Sequence, residues 1–201
     1  AFLSAAGFTA VSDDPNTNGV ADPEVDGDED PTPVNIFDPG ALAKVNDQAN
    51  ATIGEQFTYT VTVPATPVDV PLYDVRVLDN LALSDADMHF VSAEVVSGGT
   101  WSLSNSGSSN TDLVIEDTAA GIDIPAGGQA VIRITAELEN TTTNQAGLAF
   151  SNSATYTYNR INGDIGSQTK GDYGATGDMT LVEPQIATIT KSADNATPTA
   201  G

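Results

Sequence analysis

The chain has 201 residues with 28 acidic and 6 basic side chains, which gives a net charge of -22. This charge repels nucleic-acid phosphates and anionic membrane surfaces, and no apolar run is long enough for membrane insertion, so neither partner is expected. The sequence contains no cysteine, which excludes disulfides and thiolate metal sites, and its Thr-, Ser-, Val- and Gly-rich composition favours strands and turns over helices.

Both ends of the chain resemble segments of its interior. Residues 44–54 reappear as residues 191–201, with the same Lys-to-Gly spacing and an Asn-Ala-Thr in each, at an offset of 147. Residues 1–11 resemble residues 149–159 at an offset of 148. Two nearly equal offsets indicate a tandem repeat.

The repeat predicts that each end belongs to a neighbouring unit. Residues 1–11 are interpreted as the last strand of a preceding unit or as a donor strand, and residues 184–201 as the first strand of the next unit. A single strand cannot bury its apolar face or pair its backbone alone, so neighbouring copies should complete it, covalently or by strand donation. Such head-to-tail contacts propagate into a linear array. The alternative is that both ends are frayed tails.

An acidic linker is predicted over residues 12–39. Its carboxylates and amides recur at alternate positions in two overlapping copies with a glycine inside each, which is the spacing with which oxygen ligands wrap Ca²⁺. Neither copy has the terminal glutamate of an EF-hand, and the alternative is a disordered, solvated linker. The predicted Ca²⁺ ligands are Asp14, Asn16, Asn18, Asp22, Glu24, Asp26, Asp28 and Asp30.

Residues 40–160 have the alternating pattern of a complete β-sandwich. About seven strands separated by Gly, Pro, Asn and Asp clusters predict an all-β, immunoglobulin-like Greek-key fold. A Gly/Asp-rich linker is predicted over residues 161–183. The predicted strands lie near residues 42–45, 57–63, 72–78, 90–96, 113–115, 131–138 and 150–158.

Three polar side chains, Lys44, Asp79 and Asn152, are predicted to face the core. Residues two apart along a strand point the same way, and each of the three is two residues from an apolar neighbour. Burying them unpaired is costly, so they are expected to meet one another or to be satisfied in another way. The inward neighbours are Leu42 for Lys44; Tyr73, Val75 and Val77 for Asp79; and Phe150, Ala154, Tyr156 and Tyr158 for Asn152.

The order of motifs resembles a known family. After Lys44 come Gly-Glu-Gln-Phe-Thr-Tyr-Thr-Val-Thr-Val (54–63), Tyr-Asp-Val-Arg-Val-Leu-Asp-Asn-Leu (73–81), Ile-Pro-Ala-Gly-Gly (124–128) and Asn-Ser-Ala-Thr-Tyr (152–156). Together they resemble the conserved tandem-repeat β-sandwich domain of bacterial surface proteins, which is related to fimbrial and pilin domains. The resemblance covers about residues 40–160 and implies an extracellular, cell-surface or filament location.

The resemblance also implies a covalent cross-link. Some pilin relatives join a first-strand Lys to a last-strand Asn beside an acid, and the matching positions here are Lys44, Asn152 and Asp79. Burial favours neutral amines and protonated acids, the forms needed for attack on the Asn carbonyl while the acid polarises it and ammonia leaves. In the alternative, Lys44 reaches solvent, Asp79 caps a turn, Asn152 bonds to backbone and no cross-link forms.

Two non-enzymatic functions follow. The first is a structural repeat of an extracellular fibre, pilus-like filament or adhesin stalk, rigidified by Ca²⁺ and bound to neighbouring copies. The second is an adhesin module in which Trp101 contacts a glycan or protein on a host or matrix surface, although a lone Trp in a sandwich commonly belongs to the core. No nucleophile, base and orienting group occur at recognisable positions, so an enzyme is not expected.

Overall fold

The structure is a computed structural model that describes residues 2–5, 8–11, 37–118, 121–163, 169–170, 174–175 and 178–182. The chain divides into two compact units, Ala1–Asp38 and Pro39–Gly201. Within the described residues, no helix has the length and apolar character needed to cross a membrane.

The first unit contains two short strands, β1 (Phe2–Ala5) and β2 (Phe8–Val11). They pair antiparallel, with Ser4 opposite Thr9. The sequence predicts one strand over residues 1–11, whereas two strands form here and pair with each other. This pairing satisfies one edge of each strand.

Strands make up nearly all the regular secondary structure among the described residues of the second unit. A short 3₁₀ helix, Leu81–Leu83, begins where the Asn80 side chain accepts a hydrogen bond from the Ala82 backbone. Every strand region that the alternation predicts in this unit is present, and the last is divided into two. The strands are β3 (Ala43–Asn46), β4 (Asn50–Ala51), β5 (Gln56–Val63), β6 (Leu72–Asn80), β7 (Met88–Ser97), β8 (Leu103–Asn105), β9 (Asp112–Asp117), β10 (Ile122–Ile124), β11 (Ala130–Leu138), β12 (Ala149–Phe150), β13 (Ser153–Asn159), β14 (Thr169–Lys170), β15 (Gly174–Ala175) and β16 (Met179–Leu181).

Two larger sheets form the layers of the second unit. One has the order β3-β5-β11-β7, and the other has the order β14-β13-β6-β9-β8, with β10 paired to β6 and β15 paired to β13. Strict alternation on β5 and β11 places Phe57, Tyr59, Ile132 and Ile134 in the core, where they are at most 1% exposed. The fold is therefore the predicted immunoglobulin-like β-sandwich, because the apolar faces of its sheets supply a shared core.

The strand β16 carries the compact unit beyond its predicted end. It lies between β12 and β4, antiparallel to the first and parallel to the second, and both Met179 and Leu181 are fully buried. The sequence predicts a sandwich that ends at residue 160 and a linker over 161–183, whereas β16, within that range, pairs with two strands of the second unit. A three-residue strand offers too short a pattern for its alternation to be recognised.

Asp74 shifts the inward pattern of β6 by one residue. Its φ of 51° lies in the left-handed region, which residues other than glycine rarely adopt. Asp74 and Val75 are consequently both buried, and Tyr73 is only half-buried. The sequence predicts that Tyr73 faces the core, and this was wrong. Asp79 lies after the shift and keeps its inward position.

Gly121 packs against the left-handed Asp74 and provides a test of how rigid that position is. A Cβ on Gly121 (φ 82°) would lie 2.8 Å from the Asp74 Cα, whereas a Cβ on Gly127 (φ 74°) would have nothing within 4 Å. Alanine at either position costs roughly 1–2 kcal/mol in left-handed backbone, and the clash adds to this cost only at Gly121. We expect Gly121→Ala to lower the melting temperature more than Gly127→Ala; equal shifts would mean that the Asp74 backbone yields.

Candidate cross-linking site

Lys44, Asp79 and Asn152 meet in the core of the second unit. Lys44 lies on β3 in one sheet, Asp79 lies near the end of β6 in the other, and Asn152 directly precedes β13. The register of β13 on β6 sets Ala154 opposite Asp79, which brings Asn152 to the same end of the strand pair. The three residues are 3%, 2% and 4% exposed, so the cluster connects the two sheets away from bulk water.

The Asp79 carboxylate bridges the other two side chains. Its Oδ2 lies 2.5 Å from Lys44 Nζ, and its Oδ1 accepts a hydrogen bond of 2.9 Å from Asn152 Nδ2. One carboxylate therefore contacts both the amine nitrogen and the amide nitrogen. The sequence predicts an acid that polarises the Asn152 carbonyl, whereas the group that faces Asp79 is the amide nitrogen.

Burial is the largest influence on the Lys44 amine, and it disfavours the charged form. Burial lowers the pKa of Lys44, and the charge and hydrogen bond of Asp79 act in the opposite direction. Nζ also lies 4.3 Å from the centroid of the Tyr59 ring. Burial, with smaller contributions from Asp79 and Asp47, raises the pKa of Tyr59, so its hydroxyl stays protonated beside the pair.

Three aromatic side chains pack in series beside the cluster. Tyr59 packs edge-on against Phe57 at 5.3 Å between ring centroids, and Phe57 packs against Phe150 at 6.1 Å. Phe150 is two residues before Asn152, so this packing runs from the Lys44 end of the site to the Asn152 end. Tyr59 could not be assigned to the site from the sequence, because the alternation of β5 identifies it only as a core residue.

Trp101, the predicted ligand contact, lies in the loop between β7 and β8. It is half-buried, and the site of a Cβ on Gly99 would lie 2.4 Å from the indole ring. Part of the ring therefore covers the Gly99 backbone, and part remains exposed.

The predicted Ca²⁺ ligands of the linker lie outside the described residues. They are Asp14, Asn16, Asn18, Asp22, Glu24, Asp26, Asp28 and Asp30.

No protein-family model and no curated protein matches the chain. Similar solved structures include a cohesin module of a family 33 glycoside hydrolase from Clostridium perfringens, with 8% identity, a TM-score of 0.43, and coverage of 72% of this chain and 99% of that one. The collagen-binding subdomain of the Enterococcus faecalis surface protein ACE has 12% identity, a TM-score of 0.40, and coverage of 69% and 95%. The full-length major pilin SpaD of Corynebacterium diphtheriae has 15% identity, a TM-score of 0.44, and coverage of 68% and 34%. Similarity at this level concerns the fold and assigns no activity.

Proposed function

We propose that the second unit is a structural domain of an extracellular fibre, pilus-like filament or adhesin stalk, closed by an isopeptide bond between Lys44 and Asn152. The observation that supports this most directly is the buried Asp79 carboxylate in contact with both nitrogens. Without cysteine the domain has no disulfide to resist extension, and an amide between a first and a late strand would give it a covalent constraint.

The proposed reaction needs no group from outside the site. Asp79 takes a proton from the Lys44 ammonium, and the neutral amine attacks Cγ of Asn152. Asp79 then returns a proton to the departing Nδ2 and receives one from the Lys44 nitrogen. An ammonium, a carboxylate and a primary amide thereby become a secondary amide, ammonia and a neutral carboxylic acid, so that atoms and charge balance. Asp79 is the proton carrier because it contacts both the attacking and the leaving nitrogen.

Burial makes this reaction selective. Water that reached Cγ of Asn152 would compete with the amine and deamidate the side chain, and the low exposure of the cluster excludes it. Among the residues with described side chains, Lys44 is the only lysine, and the surface arginines Arg76 and Arg133 pair with Glu116 and Glu94. Lys44 is therefore the one amine of the described core that is placed for the reaction.

The lowered pKa of Lys44 leads to a prediction on pH. An exposed lysine, with a pKa of about 10.4, loses about tenfold in free amine for each pH unit below that value. Because the Lys44 amine is destabilised as a cation and Asp79 accepts its proton internally, cross-linking should change far less than this between about pH 8 and pH 6. The measurement is the intact mass against time after protein recovered in urea is refolded at each pH. A rate that falls tenfold per unit over this window would contradict the internal proton transfer.

Ca²⁺ binding by the acidic linker is a second part of the proposal, supported by the alternate spacing of its carboxylates and the net charge of -22. Ions bound there would stiffen the connection between neighbouring copies in a head-to-tail array. We expect a chelator to lower the melting temperature and to increase protease cleavage between Asp13 and Pro33, with the effect depending on free Ca²⁺.

The control for the linker is a pair of variants with matched charge. The variant Asp22→Asn with Asp26→Asn should be cleaved in Ca²⁺ as readily as the wild type is cleaved in chelator. The variant Asp85→Asn with Asp69→Asn, whose changes lie on exposed loops of the second unit, should be cleaved like the wild type. If the rate of cleavage is the same in chelator and in millimolar Ca²⁺, the linker does not bind Ca²⁺ and is a solvated spacer.

A further inference from the structure

The strand pair β6–β13 carries a second buried Asp–Asn pair at the end opposite to Asp79 and Asn152. Asp74 is 2% exposed, Asn159 is 3% exposed, and Asn159 Nδ2 donates to Asp74 Oδ2 over 3.0 Å. The first pair is completed by the Lys44 amine. The second pair lies beside a different set of polar groups, which do not include a described lysine.

A second carboxylate and a second amide adjoin this pair. Asp123 Oδ1 accepts from the Asp74 backbone over 3.0 Å, and Asp123 Oδ2 accepts from Asn162 Nδ2 over 2.8 Å. The backbone of Gly163 donates to Asp74 Oδ2 over 2.8 Å. Two carboxylates and two amides from β6, β10 and the end of β13 therefore converge on one end of the sandwich.

One oxygen in this cluster lacks a partner. Asn159 Oδ1 is buried and accepts no hydrogen bond, although its own amide nitrogen contacts Asp74. Burying an amide oxygen without a donor is costly, and here the same side chain also contacts a buried carboxylate, that of Asp74, through its nitrogen. A bound cation would lower both costs, because it is attracted to the negative carboxylates and takes the amide oxygen as a ligand.

We propose that Asp74, Asp123, Asn159 and Asn162 bind a divalent cation of the Ca²⁺ class. No three His, Cys, Asp or Glu side chains come together among the described residues, so the ligands would be two carboxylates, amide oxygens and water. Ca²⁺ accepts such mixed and irregular oxygen sets, whereas Mg²⁺ demands a near-ideal octahedron and Zn²⁺ prefers nitrogen and sulfur. The site uses none of the predicted ligands of the acidic linker and none of the three residues of the proposed cross-link.

The surroundings provide both entry and an optical probe. Asn162 is exposed, and Tyr73, Asp123 and Pro125 line a cleft of about 360 Å³ that opens to solvent. A cation here would bind the last residues of β13 to β6 and β10. Tyr73 lines the same cleft as Asp123, so its ring is placed to sensitise Tb³⁺, which binds the same oxygen ligands as Ca²⁺.

The test is Tb³⁺ luminescence through tyrosine excitation in the full chain, with Ca²⁺ competition and calorimetry. We expect saturable emission that Ca²⁺ displaces in the concentration range of extracellular modules, about 0.1–1 mM. Asp123→Asn and Asp74→Asn should each weaken this binding about tenfold or more, and Asp85→Asn, an exposed change of the same charge, should not. Tyr73→Phe should lose the emission while calorimetry still detects Ca²⁺.

The Asp123→Asn variant is the decisive measurement for this site. Asp123 is only half-buried, so Asp123→Asn serves if Asp74→Asn does not fold. The proposed site is wrong if Asp123→Asn leaves the emission and the Ca²⁺ binding unchanged. It is also wrong if both are lost only in the linker variant Asp22→Asn with Asp26→Asn. The intact mass of the same samples reports the cross-link independently, so failure of one proposal is distinguishable from failure of the other.

Discussion

The folded wild-type protein is expected to be lighter than its sequence mass by one molecule of ammonia. The deficit follows from the proposed reaction, in which the Asn152 amide nitrogen leaves and no other atom is lost. Asp79→Asn should restore the full mass because the amide cannot carry the proton between the two nitrogens, and Lys44→Met should do so because it removes the nucleophile. Intact mass spectrometry of well-folded protein measures all three.

A matched control separates the cluster from general effects of charge removal. Glu94→Gln removes a carboxylate that contacts Arg133 on the surface, and it should retain the mass deficit. Proteolysis should then yield one branched peptide that joins the Lys44 segment to the Asn152 segment. If the folded wild-type protein has the full sequence mass, no cross-link forms and the three residues are a buried polar cluster. If the mass is lower but the branched peptide joins other segments, other residues form the cross-link.

Much of this site could be predicted from the sequence because the side-chain period of a strand is two. Lys44 shares the buried face of Leu42, and Asn152 shares that of Phe150, so simple counting brings both into the core. The same period predicts that Asp79 faces inward, which it does, although the prediction also placed Tyr73 in the core, where it does not lie. Asp79 lies on the inward face because the pattern shifts by one residue between Asp74 and Val75.

The direction in which Asp79 faces could not be predicted in this way. Parity gives the face of a strand on which a side chain lies, but it does not say which atom of Asn152 the carboxylate contacts. The contact with Nδ2 makes Asp79 a carrier of protons between nitrogens, a role that differs from polarising the carbonyl. Hydrogen-bond geometry of this kind depends on side-chain torsions that no sequence pattern encodes.

The Asp74 cluster was hidden from the sequence for a related reason. Asp74 and Asn159 lie far apart in the chain and show no metal-ligand spacing, and the shift of the inward pattern at Asp74 is not visible in the alternation of the sequence. The strand β16 was hidden by its length. Its two buried residues, Met179 and Leu181, have too little pattern to stand out from a Gly/Asp-rich segment.

Loss of the cross-link should strongly destabilise the second unit, and a double variant measures this best. The bond closes a loop of about 110 residues, and by analogy with disulfides such closure stabilises by about 4–5 kcal/mol. Lys44→Met alone also leaves Asp79 buried without its partner, which adds about 3–5 kcal/mol of its own. In Lys44→Met with Asp79→Asn both charges are absent, and we expect the melting temperature to fall by about 10–20 °C.

The double variant isolates the covalent constraint because of how the proposed reaction ends. Its product contains a neutral amide and a protonated Asp79, so the cross-linked core and the double variant both lack a buried charge. Their difference in stability therefore reports the closed loop, whereas the additional loss in Lys44→Met alone reports the unpaired carboxylate. If the double variant melts within a few degrees of wild type while Lys44→Met melts far below it, the cluster stabilises the fold through its ion pair, and no bond constrains the unfolded chain.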